Sequence, residues 1–384
     1  MARRIVILII IVFITHNIYG QDYLPEDEPL TINVLLQALG ERLMDGKVGS
    51  IVAIDPTNGE VKCMVSASDV DSIYNHAIAA QYEPGSTIKT AQALVLCSEG
   101  IISPKSTFSC NKGFWRGDVH IGCHPHRSPQ TMIGALSHSC NSYFCKAFMA
   151  LIDNRTRYKN KLEAINTWHE YMTSMGLGKP LGIDMPGESG GLIPNAAYLE
   201  KSHNNGRWNS QTIMWMGMGQ GEIALTPLQL CNLSASIANR GFYYIPHIHK
   251  PTLEKPLDVK YTEKHVTKID AKVYEPIIEG MRAAVMNGTC ASINTKAYTI
   301  CGKTGTAENE GEDHSIFIGF APMDKPKIAI AVYIEHGGMG ADLAAPIASL
   351  MIQQYLKGKL TRKSELAIEK YQFYVPPIKT SAEE

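Results

Sequence analysis

An excess of either charge is the first thing this sequence lacks. Its 384 residues carry 36 lysines and arginines against 37 aspartates and glutamates, a formal charge of −1. That balance gives no pull on a nucleic acid backbone or an anionic membrane surface. Sustained heptads and internal repeats are missing too, which argues against a coiled coil and a solenoid. No apolar run reaches the roughly 20 residues a spanning helix needs. Disorder is excluded from the other side: 45% of residues are hydrophobic and 19% charged, enough for a sizeable core.

The N-terminus holds one short apolar run. Arg3 and Arg4 precede Ile5 to Ile14, and a polar stretch ends at Gly20. This reads as a secretory signal over residues 1–20, with a short uncleaved membrane tether as the alternative. Either places the protein in the periplasm or cell envelope. Residues 21–30 are acidic, contain Pro25 and Pro29, and read as a linker.

Of the nine cysteines, Cys63, Cys97 and Cys231 sit in apolar runs and read as small core residues. Cys110 and Cys123 bracket a polar loop with His120, His124 and His126 close by. A disulfide, two unpaired thiols and a metal site all remain open there. No Cys-x-x-Cys spacing supports zinc, so spacing alone does not decide among them; no metal ligand is assigned, and no cofactor is expected.

From Thr31 a helical period sets Ile32, Leu35, Leu36, Leu39 and Leu43 on one face, and Gly46 stops it. Residues 50–55 and 60–65 read as strands joined by the turn Asp55-Pro-Thr-Asn-Gly59. A helix follows Ser86 and ends near Gly100. The middle, to about residue 295, is helical and loop-rich, with a helix at 171–177 and another from Thr226, whose Pro227 suits a first helical position. Strands are expected at 298–303, 315–320 and 327–333, then a helix over 344–356 and a loosely held polar tail over 358–384. The early hairpin must join the late strands, because two strands alone are marginal. The expected fold is therefore α/β in the α+β sense: a five-stranded antiparallel sheet flanked by helices, plus a helical lobe. The whole occupies residues 31–357, and the cleft between lobes is the natural site.

Ser86-Thr-Ile-Lys89 sets a hydroxyl and an amine three residues apart on one helix face. Serine is a weak nucleophile until a base takes its proton, and lysine can be that base if burial or a second cation lowers its pKa. A helix N-terminus also favours developing negative charge. Alone the pattern is weak, since an N-capping serine and a solvated lysine would produce it. A second copy, Ser109-Cys-Asn-Lys112, lies in a loop without helical period. Two further signals accompany the first copy: Ser139-Cys-Asn141, a pattern that recurs at Ser202-His-Asn204 and Ser292-Ile-Asn294, and Lys303-Thr-Gly-Thr306, whose Lys-Thr-Gly occurs once. Glycine there lets a ligand approach the backbone closely.

Together and in this order, the three form the Ser-x-x-Lys, Ser-x-Asn, Lys-Thr-Gly signature of penicillin-binding proteins and class A β-lactamases, with Cys140 where the middle triplet often has Asp. Over residues 30–357 the chain resembles the transpeptidase domain of class B penicillin-binding proteins, of the elongation type. Further stretches carry the likeness: Val52 to Val61, Glu83 to Lys89, Gly176-Leu-Gly-Lys-Pro180, Gly182 to Glu188, Gly219-Gln-Gly221 with Thr226-Pro-Leu-Gln229, and Phe317 to Pro322. The resemblance implies a β-lactamase/transpeptidase-like fold and roles residue by residue. Ser86 would be the acyl-accepting nucleophile and Lys89 its base. Lys303 would keep Lys89 neutral and attract the substrate carboxylate, Ser139 would pass a proton to the leaving amine, and Asn141 would hold the substrate amide. Thr304, Gly305 and Thr306 would bind substrate. Backbone N–H groups of Ser86 and Thr306 would form the oxyanion hole.

The implied reaction is acyl transfer from peptidoglycan stem peptides ending in D-Ala-D-Ala, with β-lactams as mimics. Water as acceptor would make the same site a carboxypeptidase. The long pedestal usual in the family is expected to be missing, with about ten residues between signal and domain, and a glycosyltransferase domain has no room. That favours a specialised enzyme. The rivals are a serine β-lactamase, a β-lactam sensor without turnover, and a scaffold that binds wall peptides. The 164 residues from Ser139 to Lys303 (303 − 139) favour the penicillin-binding class.

Overall fold

The structure is a computed structural model that describes residues 29–69, 74–204 and 206–375. The segment read as a signal, and all of the linker before Pro29, lie outside the described residues.

Helix α1 (Val34–Met44) leads into the hairpin β1 (Gly49–Ile54) and β2 (Val61–Ala67). After the helical middle come β5 (Cys301–Ala307), β6 (His314–Ala321) and β7 (Ile328–Ile334). All five strands form one sheet in the order β2-β1-β7-β6-β5, antiparallel at every neighbour. The hairpin thus joins the late strands through β1 and β7, as the sequence requires.

Neither face of this sheet is left to water. Every residue of β1 and β7 is buried. Successive side chains point to opposite faces, and the core splits accordingly. Ile51, Ala53, Ile330 and Val332 join a cluster with Leu36 of α1 and Met351 of α8 (Ala344–Lys357). Val52, Ile54, Ala329 and Ala331 face a second cluster. That cluster runs through α6 (Pro227–Ala238) into the helical lobe: α2 (Lys89–Ser98), α3 (Met132–Ser137), α4 (Asn141–Ile152) and α5 (Lys161–Ser174). Helix α6 is the centre of the molecule, with all 12 residues buried. Its start is fixed by a reciprocal cap between Thr226 and Gln229 and by Pro227 at the first position. Helix α7 (Tyr274–Asn287) closes the β5 side.

Four expectations need correction. Leu35 is 64% exposed, while Gln37 is fully buried in its place. The Gln37 amide exchanges hydrogen bonds with Met64 N and O at 2.9 and 2.8 Å, extending the edge of β2 with a side chain. The helix expected at 171–177 starts ten residues earlier, at Lys161, where Asn160 caps it. The strand expected to end at Lys303 runs from Cys301 to Ala307. Gly305 stays in the ladder because its missing Cβ leaves room for Thr87 Cγ2, which a Cβ would meet at 2.9 Å. The polar C-terminal stretch is not loosely held over its first half: α9 (Arg362–Gln372) is capped by Thr361, buries Ile368, and receives Lys47 Nζ on the Gln372 carbonyl at 2.6 Å.

Candidate active site

Glu83-Pro-Gly-Ser86 ends in a 3-10 turn, Gly85–Ile88, that runs straight into α2. Ser86 caps nothing, so its hydroxyl is free for other partners. Two glycines make this turn possible. Gly85 has φ +51° and touches the β5 backbone: a Cβ there would lie 2.6 Å from Thr306 O. Gly219, at φ +93°, accepts a hydrogen bond from Gly85 N at 2.9 Å, and a Cβ on it would meet Gly85 O at 2.0 Å. Bulk at either position would push the serine turn off the strand.

Lys89 binds the first two motifs together. Its Nζ, fully buried, lies 2.8 Å from Ser86 Oγ, 2.8 Å from Ser139 O, 3.2 Å from Ser139 Oγ and 2.5 Å from Asn141 Oδ1. Ser139 sits in the left-handed region at φ +57°, a strained setting for serine. It directly precedes Cys140, whose side chain caps α4 on Tyr143 N. Asn141 is also held from its other end, donating Nδ2 to Gly122 O at 2.9 Å.

The third motif arrives on β5, the last strand of the sheet. Lys303 is fully buried, and its Nζ donates to Thr304 O at 2.9 Å. Thr304 Oγ1 donates to Thr289 Oγ1 at 2.7 Å. Burial pushes the Lys89 amine down to about 8. Burial, then repulsion from Lys89, pushes Lys303 down to about 7. Two buried amines thus titrate near neutrality as a pair.

The second Ser-x-x-Lys, at 109–112, lies in a loop with Lys112 at φ +52°, outside this network. Sequence reasoning missed the support behind Ser86. Tyr82 stacks on Tyr333 with ring centroids 4.1 Å apart, donates to Glu335 Oε1 at 2.6 Å, and meets His76 Nδ1 at 2.7 Å. Tyr333 Oη reaches Glu83 O at 3.3 Å. Nothing local in the sequence links residues 76, 82, 333 and 335; only the sheet does.

It also missed one member of a thiol cluster, Cys140. Cys110 and Cys123 are joined by His126 and Cys140, with all four ligand atoms within 4.8 Å of one another. Cys123 Sγ accepts from Asn141 N at 3.3 Å and meets His126 Nε2 at 3.3 Å. The hydrogen bond with Cys140 pulls the Cys123 thiol down and pushes Cys140 up. Three sulfurs and an imidazole are the donors of a closed zinc site. The signal was in plain view: Cys140 is the middle residue of the Ser-x-Asn triplet.

Comparison with known proteins finds relatives over most of the chain. The model of the penicillin binding protein transpeptidase domain matches residues 49–353. The peptidoglycan D,D-transpeptidase MrdA of Acinetobacter baumannii is 30% identical over 367 residues, 83% of this chain and 52% of that protein. Stage V sporulation protein D of Bacillus subtilis is 28% identical over 397 residues, 92% of this chain and 58% of that protein. The chain spans little more than half the length of these relatives. The crystal structure of Pseudomonas aeruginosa PBP2 in complex with WCK 5153 superposes with a TM-score of 0.76 at 29% identity, covering 88% of this chain and 81% of that one. Motif order, the hydrogen bonds of Lys89 and a family match running from β1 into α8 lead to one assignment: the chain belongs to the penicillin-binding protein transpeptidase domain family.

Proposed function

We propose that this chain is a serine D,D-transpeptidase that acts on peptidoglycan stem peptides through an acyl-enzyme on Ser86. One observation carries the reading: a buried Lys89 amine, lowered to about 8, within hydrogen-bond reach of Ser86 Oγ, Ser139 and Asn141.

The substrate carboxylate docks first, beside Lys303, Thr304 and Thr306. A negative charge there returns the proton to Lys303, and the restored cation repels charge on Lys89. A carboxylate docked there thus favours the division of labour the chemistry needs: Lys303 charged, Lys89 neutral. Lys89 takes the Ser86 proton as Oγ attacks the penultimate D-Ala carbonyl carbon. The oxyanion forms between the backbone N–H groups of Ser86 and Thr306; one such donor is worth roughly 100- to 1000-fold in rate. The C–N bond then breaks, and the proton passes through Ser139 to the departing D-Ala amine. An amine from a second stem resolves the ester into a cross-link. Water would resolve it as a carboxypeptidase.

A zinc ion held by Cys110, Cys123, His126 and Cys140 would be structural, since four protein donors leave no open position. Cys140 and Cys123 both touch the segment that carries Asn141, so such an ion would brace that amide. The N-terminal segment is read as directing the chain to the cell envelope. Among the described residues no helix is long and apolar enough to cross a membrane.

The test is turnover of a diacylated Lys-D-Ala-D-Ala tripeptide with and without an added D-amino acid acceptor. Release of D-Ala with capture of the acceptor supports the transpeptidase. Release with water alone makes it a carboxypeptidase, and release unaffected by Ser86→Ala refutes the assignment.

A further inference from the structure

One built feature beside the site remains unused by this mechanism. Strands β3 (Gly113–Arg116) and β4 (Val119–Gly122) form a hairpin. One of its faces is packed: Ile121 is buried, and Phe114 lies against a small cluster with Cys145, Met149, Met214 and Met218. The other face presents Trp115, 68% exposed, stacked on its cross-strand partner His120 with centroids 4.7 Å apart. The glycine at 113 makes room for that stack, because a Cβ there would lie 2.8 Å from His120 Nε2. Beside the aromatic plate is a cavity of about 330 Å³, lined among others by Ser109, Asn111, Ser128 and Lys146. The Lys146 ammonium is fixed on Ser109 O at 2.7 Å and over the Phe114 ring at 5.1 Å.

This plate is tethered to the reacting groups. Asn141 Nδ2 donates to Gly122 O at 2.9 Å, and Gly122 pairs with Gly113. The Trp115–His120 pair lies two residues further out, about 7 Å along the strand. The Arg116 guanidinium lies 2.8 and 3.0 Å from the Gln211 amide, whose oxygen is the group that can accept from it.

We infer that the Trp115–His120 plate and its cavity bind a pyranose ring of the glycan to which the stem peptide is attached. The inference rests on the proposed stem-peptide substrate. A pyranose has one face of C–H groups, which suits an exposed indole, and a rim of hydroxyl and acetamide groups, which suits hydroxyl, amide and ammonium donors around a polar cavity. The volume is at the small end of ligand sites, room for a sugar residue rather than for a protein surface. A docked protein would need a wider apolar patch; among the exposed large hydrophobics of the hairpin, Val119 pairs with Arg116 and lies on the opposite face, with Ile121, which leaves Trp115 alone on this one.

Calorimetry on the full Ser86→Ala chain tests this with two probes: a free pentapeptide ending in D-Ala-D-Ala, and the same pentapeptide carried on an N-acetylglucosamine–N-acetylmuramic acid disaccharide. The disaccharide form is expected to bind about tenfold tighter, and adding Trp115→Ala to cancel that ratio. Trp115→Phe should keep part of it, which separates stacking from a folding defect. Equal affinity for both probes, binding of neither, or a ratio that survives Trp115→Ala overturns the inference. Benzylpenicillin labelling of the unaltered chain reads the other claim: without acylation the transpeptidase reading fails, whatever the sugar ratio.

Discussion

Replacing Lys89 by methionine separates what the site needs from what the fold needs. The amine is fully buried, and burial lowers its pKa from 10.5 to about 8. At pH 6 the folded protein must keep that amine charged, which costs it about 3 kcal/mol relative to the unfolded chain. Methionine removes this cost while filling a similar volume. In exchange Asn141 Oδ1 and the Ser139 carbonyl lose their donor; a buried acceptor left alone costs about 1–3 kcal/mol. The two effects nearly cancel, so Lys89→Met is expected to unfold in urea within about 2 kcal/mol of the parent at pH 6. The sign of the pH trend follows from the lowered value. Below the folded pKa near 8 the parent bears the full penalty, which shrinks to nothing as pH rises toward 10.5. Lys89→Met therefore loses ground against the parent as pH rises through that window. Activity should behave oppositely: without the base, acylation of Ser86 by a fluorescent penicillin falls about 100- to 10,000-fold. Acylation within tenfold of the parent, or unfolding of the variant at pH 6, would refute the reasoning.

The same two lysines set the pH dependence of the parent. Acylation needs one amine charged and one free, so its second-order rate should follow a bell with limbs near 7 and 8; a rate flat from pH 6 to 9.5 would contradict this. If the thiol cluster holds zinc, elemental analysis finds about one ion per chain, a chelator lowers the thermal midpoint, and Cys140→Ser abolishes both effects. Gly85→Ala, with φ +51° and Thr306 O only 2.6 Å from the new Cβ, should cost about 1–3 kcal/mol in urea unfolding and slow acylation by displacing the turn from β5.

Much of the fold was legible because its signals were local. The hairpin turn at Asp55–Gly59 and the buried strands near 315 and 328 announce themselves in runs of a few residues, and the need for more than two strands joins them. Leu35 misled because apolar spacing does not reveal a glutamine that bonds a strand edge. The sequence places Lys303-Thr-Gly-Thr306 at a strand end, with the glycine as a point of close ligand approach to the backbone. Here the strand continues because the serine turn fills the space a side chain would need. The acidic and aromatic support behind Ser86 comes from segments distant in sequence, and Cys140 joins Cys110, Cys123 and His126 only through the fold. No periodicity could bring Tyr82 to Glu335 or Cys110 to Cys140. The catalytic motifs themselves were readable only as a set.

Intact mass after incubation with benzylpenicillin, for the parent and for Ser86→Ala, tests the central claim most directly. The account predicts a stable gain of one penicillin on the parent and none on the variant. An adduct that persists in Ser86→Ala, or a parent that gains no mass, would contradict it.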